Sequence, residues 1–148
     1  MKKFAALVFG VLALAACSQP PVPPAYVERP WTGPQVPVYA GAQYSVLFGF
    51  GSAALTKEGK AVVAQAAGEL ANGATSVVLV GHTDTVGNAK ANQALSERRA
   101  AAVAKALVAK GVSAGAIQMN GAGEGDQAVA TPDNTKEKAN RRVVLILK

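Results

Sequence analysis

From residue 44 onward the apolar positions fall into short periodic runs separated by polar turns. Tyr44-Ser45-Val46-Leu47-Phe48-Gly49-Phe50 alternates, which predicts a strand with Val46, Phe48 and Phe50 on one face. Thr56 is placed to cap a helix running to about Asn72, with Leu55, Val62, Val63, Ala66 and Leu70 as its buried stripe. Asn72-Gly73 is a stop signal. Val77 to Val80 is continuously apolar and predicts a central strand covered on both faces. A second helix is expected from about Ala89 to Lys110, ended by Gly111. Ile117 to Asn120 reads as a short strand and Arg142 to Leu147 as a longer one. The order β-α-β-α-β-β predicts an α/β two-layer sandwich, with two helices packed on one small mixed sheet.

The first forty residues follow a different pattern. Met1-Lys2-Lys3 is a charged start, Phe4 to Ala13 is apolar, and small residues lead up to Cys17. This is the layout of a secretory signal, with an apolar run too short for a permanent span. A core helix or a short anchor is the plainer alternative. Leu14-Ala15-Ala16-Cys17 resembles the lipobox of bacterial lipoproteins, in which the cysteine is acylated and begins the mature chain. The single cysteine fits, since an exported protein with one thiol has no internal disulfide to form. Ser18 is not aspartate, which by the same resemblance directs the protein to the outer membrane. Seven of the eight prolines lie between Pro20 and Pro37, a composition that favours extended polyproline II. About twenty such residues reach roughly 60 Å. The division expected is a signal peptide over 1–16, a lipidated cysteine and tether over 17–40, and a folded domain over 41–148.

Charge changes this picture little. Lys and Arg outnumber Asp and Glu by 15 to 9, and Lys2 and Lys3 leave with the leader. No basic block remains that would track a phosphate backbone, so nucleic acid is not an expected partner.

The candidate chemistry lies in Gly81 to Arg99, where a polar turn follows the third predicted element and runs into the second helix. At about 100° per residue, Asn92, Leu95, Arg99, Val103 and Ala106 share one face, and Arg98 points away from it. A guanidinium on an apolar stripe needs compensation, because an unpaired buried charge costs several kcal/mol. Asp84 is the nearest carboxylate by chain path; Glu97 sits on the opposite side of the helix. The spacing leaves two readings open. Asp84 and Arg99 can form a structural ion pair, or they can be held apart and share a zwitterionic ligand, Asp84 taking an ammonium and Arg99 a carboxylate.

These residues also carry a resemblance. GHTDTVGNAKANQALSERRAAAVAKAL, followed by Asn140-Arg141-Arg142-Val143, is similar to the OmpA-like C-terminal domain family from about Tyr44 to Lys148. It implies a Pal-like outer-membrane lipoprotein whose periplasmic domain binds peptidoglycan non-covalently and links outer membrane to wall. It further implies that Asp84 and Arg99 hold the diaminopimelate of the stem peptide, with Asn92 in support and Thr83 and Thr85 flanking the pocket. The second arginine of the NRR motif, Arg142, joins the expected ligand set; either arginine of that motif can approach the ligand or brace the fold. Envelope proteins of the Tol type are implied partners. One position departs from the family: Phe-x-Phe is often followed by Asp or Asn at the pocket edge, and here Gly51 follows Phe50.

Catalytic readings find less support. His82 with Asp84 lacks the further ligands of a metal site, and no cofactor is expected. Gly121-Ala122-Gly123-Glu124-Gly125 lacks the lysine and the following helix of a phosphate loop and reads as a turn. Ser96 lies far along the chain from His82, and Glu124 and Asp126 share a loop that reads as a solvated face. The rivals to a wall-binding module are a scaffold subunit of an envelope or secretion complex and, less well supported, a periplasmic wall-acting enzyme.

Overall fold

The computed structural model describes residues 41–148, so the leader, Cys17 and the tether with Trp31 and Tyr39 lie outside the described residues. Four strands and two long helices follow in the order β1 (Gln43–Leu47), α1 (Lys57–Ala71), β2 (Val77–Gly81), α2 (Ala89–Ala109), β3 (Ile117–Gly121) and β4 (Arg142–Leu147), with one 3-10 turn (Ala114–Ala116) before β3. The sheet order is β1-β4-β2-β3. β4 is antiparallel to both β1 and β2, whereas β2 and β3 are parallel and joined by α2. The expected two-helix sandwich on a mixed sheet is the fold observed. No helix among the described residues is long and apolar enough to cross a membrane.

The last strand completes the core. β4 enters between β1 and β2, and its alternate residues Val143, Leu145 and Leu147 oppose Gly81, Leu79 and Val77. Together with Val46, Val63, Val103 and Leu107 they form one apolar cluster between sheet and helices. Each such fully buried aliphatic side chain contributes about 1.5–3 kcal/mol. Val78 and Ile146, partners on the opposite face of the sheet, are also buried, so β2 is covered on both sides as its sequence predicts. Thr56 caps α1 by accepting from the Gly59 amide at 3.0 Å, and the helix stops at Asn72 and Gly73.

Two local expectations change. β1 ends at Leu47; Phe48 is buried, but Phe50 is 52% exposed rather than part of the inner face. The chain turns at Gly49–Ser52, where Gly51 takes φ +62, and the Lys136 ammonium sits 4.5 Å from the centre of the Phe50 ring. On α2 the fully buried line is Asn92, Ser96, Arg99, Ala100, Val103, Ala104 and Leu107, with Leu95 and Ala106 only half-buried. The reason is close approach. A Cβ on Gly81 would lie 2.0 Å from the Ser96 carbonyl oxygen, and one on Gly121 would lie 2.5 Å from the Ser96 hydroxyl. Only small residues fit where α2 crosses β2 and β3, which rotates the helix so that Ser96 and Ala100 face the sheet.

Candidate functional site

Past Gly81 the chain leaves the sheet as His82-Thr83-Asp84-Thr85, four polar residues that are all buried. Their backbone is held by segments distant in sequence. His82 N–H donates to the Arg142 carbonyl (2.8 Å), Thr83 N–H to that of Gly123 (2.7 Å), and Asn134 N–H to that of Thr85 (3.0 Å). The Thr85 hydroxyl donates to the Pro132 carbonyl at 2.7 Å and accepts from Thr135 N–H at 3.1 Å. The loop of residues 122–141 therefore roofs the turn. Asn140 pins that roof, its side chain donating to the Val129 carbonyl (2.8 Å) and accepting from Val129 N–H (2.9 Å). Asn88 caps α2 by accepting from Ala91 N–H at 2.8 Å, so the helix starts directly under the turn.

Arg99 is fully buried, as helical phase predicts, and Arg98 is exposed. Its compensation differs from the expected carboxylate. Nε donates to the Ser52 carbonyl (2.8 Å), Nη1 to that of His82 (2.7 Å) and Nη2 to that of Gly49 (3.0 Å), and the group lies 5.4 Å from the centre of the Phe48 ring. Arg99 thereby ties α2 to both loops that frame the site. Burial lowers its pKa to about 10; the nearby Asp84 opposes this shift and Arg141 adds to it.

Asp84 pairs instead with Arg141, Nη1 to Oδ2 at 3.0 Å. Arg141 also donates from Nε to the Phe48 carbonyl at 3.3 Å. Of the NRR pair it is thus Arg141, not Arg142, that reaches the site. Arg142 points the other way, donating to the Asp126 carbonyl at 3.0 Å, and its Nη1 is buried without a hydrogen bond among the described residues. Asn92 lies at the site's edge, donating to the Val86 carbonyl (3.2 Å) and to Glu124 Oε2 (2.8 Å). The Thr83 hydroxyl is buried with no hydrogen bond among the described residues. Asp84, Arg99 and Arg141 therefore converge, Thr83 and Thr85 flank them, Asn92 braces the roof, and Arg142 stands apart. Strand alternation carried the signal for Arg141: it has the parity of the inward Val143, Leu145 and Leu147.

The catalytic candidates are occupied otherwise. The Ser96 hydroxyl donates to the Gln93 carbonyl and accepts from Gly123 N–H, so it braces the loop against α2. Glu124 accepts from Asn92, and Asp126 lies 3.8 Å from Arg142. Among the described residues no group of three His, Cys, Asp or Glu side chains is placed to hold a metal. The glycine-rich segment at 121–125 is followed by β4 rather than a helix.

A sequence profile of the OmpA family matches residues 47–142. The chain belongs to the OmpA family. Among curated relatives, outer membrane protein A of Escherichia coli O157:H7 is 42% identical over 98 residues, covering 64% of this chain and 28% of that protein. The Escherichia fergusonii protein of the same name is also 42% identical over 98 residues, and 40% of its length is covered. The chain thus spans well under half of these relatives. Two solved structures share its architecture. One is the OmpA-like domain of FopA1 from Francisella tularensis (TM-score 0.64, 25% identity, 72% of this chain and 73% of that one). The other is the peptidoglycan-associated lipoprotein from Burkholderia pseudomallei (TM-score 0.64, 28% identity, 70% of this chain and 89% of that one).

His82 makes a pH prediction. Burial and then the Arg142 charge depress its pKa below the usual 6.5, against the opposing Gly125 carbonyl (3.2 Å from Nδ1) and Asp126. A depressed histidine is neutral when folded while the unfolded chain takes up a proton. Its contribution is therefore complete above pH 6.5 and is lost as pH falls below it. Urea denaturation is expected to show stability declining from about pH 6.5 downward by at most about 1.4 kcal/mol per pH unit from this group. His82→Gln should flatten that slope; an unchanged slope would assign it to other groups.

Proposed function

We propose that the domain binds peptidoglycan non-covalently through the diaminopimelate of the stem peptide and links the outer membrane to the wall. Membership of the OmpA family and the likeness to a peptidoglycan-associated lipoprotein support this reading. The observation that carries it is the state of Asp84. Arg141 occupies Oδ2, whereas Oδ1 has no hydrogen bond among the described residues, and a buried carboxylate with one oxygen open suits an ammonium. Arg99 supplies a positive charge beneath it for the ligand carboxylate, with two of its five donors uncommitted. Arg99 is covered by the Gly49–Ser52 turn, whose Phe50 is exposed and whose Gly51 takes φ +62, so the ligand carboxylate would approach the guanidinium from beside that turn. Thr83 offers the ligand an unengaged hydroxyl, and Thr85 and Asn92 hold the roof in place. Arg142 belongs to the brace in this reading.

Acylation of Cys17 would hold the protein to the outer membrane, with residues 17–40 as spacer and the domain in the periplasm. Tethering raises the effective concentration of wall, so a modest pocket repeated over many molecules makes a strong link. Tol-type envelope partners would add to such a link without replacing it. Competition tests the ligand. Millimolar free diaminopimelate is expected to release the full chain from purified sacculi, whereas lysine, which lacks the second carboxylate, releases little. Equal release by both amino acids would reject the diaminopimelate mode.

A further inference from the structure

A cleft that shares Arg141 with Asp84 has no role in that scheme. Its volume is about 280 Å³, and it opens between the end of β1, the start of α1 and the last residues of the 122–141 loop. Thr56, Glu58, Lys138 and Arg141 supply its polar lining, and residues 47–49 the remainder. Arg141 belongs to both sites. Its Nη1 is on Asp84 and its Nε on the Phe48 carbonyl, while Nη2 makes no hydrogen bond among the described residues. The side chain is only 13% exposed, so its orientation is fixed by these contacts. The Lys138 ammonium has neither an ion pair nor a hydrogen bond among the described residues, and Glu58 pairs with neither cation.

We propose that this cleft is a second subsite of the wall-binding pocket, taking another carboxylate of the same wall peptide on Arg141 and Lys138. The proposal rests on the wall-binding reading above. One guanidinium then bridges two recognition events, with Asp84 on one nitrogen and the ligand carboxylate on another. Because the subsites share one planar group, the ammonium held by Asp84 and this carboxylate belong to neighbouring residues of one peptide. A stem peptide whose glutamyl residue is joined through its side chain has such a free α-carboxylate next to the diamino acid. The positive end of α1 at Thr56 adds to the attraction. Glu58 sets the limit: it repels a dianion such as phosphate more strongly than a monoanionic carboxylate.

The test titrates the full chain with two synthetic peptides, L-Ala-γ-D-Glu-diaminopimelate and the same peptide with the glutamyl α-carboxylate converted to the amide. Wild type is expected to prefer the free acid by about tenfold, the scale of one charge-assisted bond. Lys138→Gln should bring the two affinities within about twofold of each other, and E58Q should widen the ratio. Equal wild-type affinities, or a ratio unchanged in both variants, would overturn the subsite and leave wall binding intact. If neither peptide binds wild type, the wall-binding reading fails and the subsite fails with it.

Discussion

Arg99→Ala is expected to destabilise the domain by about 3–5 kcal/mol, whereas Arg98→Ala one residue earlier should change stability by less than about 0.5 kcal/mol. The contrast follows from what each guanidinium touches. Arg98 is exposed, but Arg99 is fully buried and donates to three carbonyls from two loops. Hydrogen bonds to a charged group contribute roughly 1.5–3 kcal/mol each, and truncation strands the buried His82 carbonyl while opening a cavity beside Phe48. The Ser52 and Gly49 carbonyls lie nearer solvent and can rehydrate, which keeps the total below the simple sum. Paired denaturation curves check the difference. Two equally mild variants would show that the loops hold without the arginine.

The second large effect is on binding. Asp84→Asn keeps the shape of the side chain and removes the charge that would receive an ammonium. Loss of one charge-assisted contact of roughly 1.5–3 kcal/mol predicts about ten- to more than one hundredfold weaker attachment to wall. The stability cost should be smaller than for Arg99→Ala, because an amide oxygen can still accept from Arg141, which also keeps its bond to the Phe48 carbonyl. The split between affinity and stability is the opposite of that for Arg99→Ala. On the proposed reading the two charges separate into a carboxylate that receives the ligand and a guanidinium that first of all builds the site.

Much of this was legible in the sequence because local periodicity governs it. Element order, the Thr56 cap and the inward phase of Arg99 all follow from spacing along one helix or strand. Phe50 was misread because the alternation of β1 continues on paper past the point where Arg99, 50 residues away, holds the Gly49 carbonyl and turns the chain outward. The inner line of α2 shifted toward Ser96 and Ala100 because Gly81 and Gly121 admit a closer helix than apolar count suggests. Carboxylate compensation for Arg99 was inferred from proximity along the chain, while the fold supplied carbonyls from the 48–56 loop that no local pattern announces. The NRR motif left either arginine free to approach the site, and the pairing with Asp84 falls to Arg141, which has the strand parity of Val143.

The proposed role of Asp84 is to make this domain a receptor for wall. It is tested most directly by sedimenting the purified full chain with isolated sacculi, comparing wild type, Asp84→Asn and Arg98→Ala at matched folding by circular dichroism. Wild type and Arg98→Ala are expected to pellet with the wall while Asp84→Asn stays in the supernatant. Asp84→Asn pelleting like wild type would contradict it.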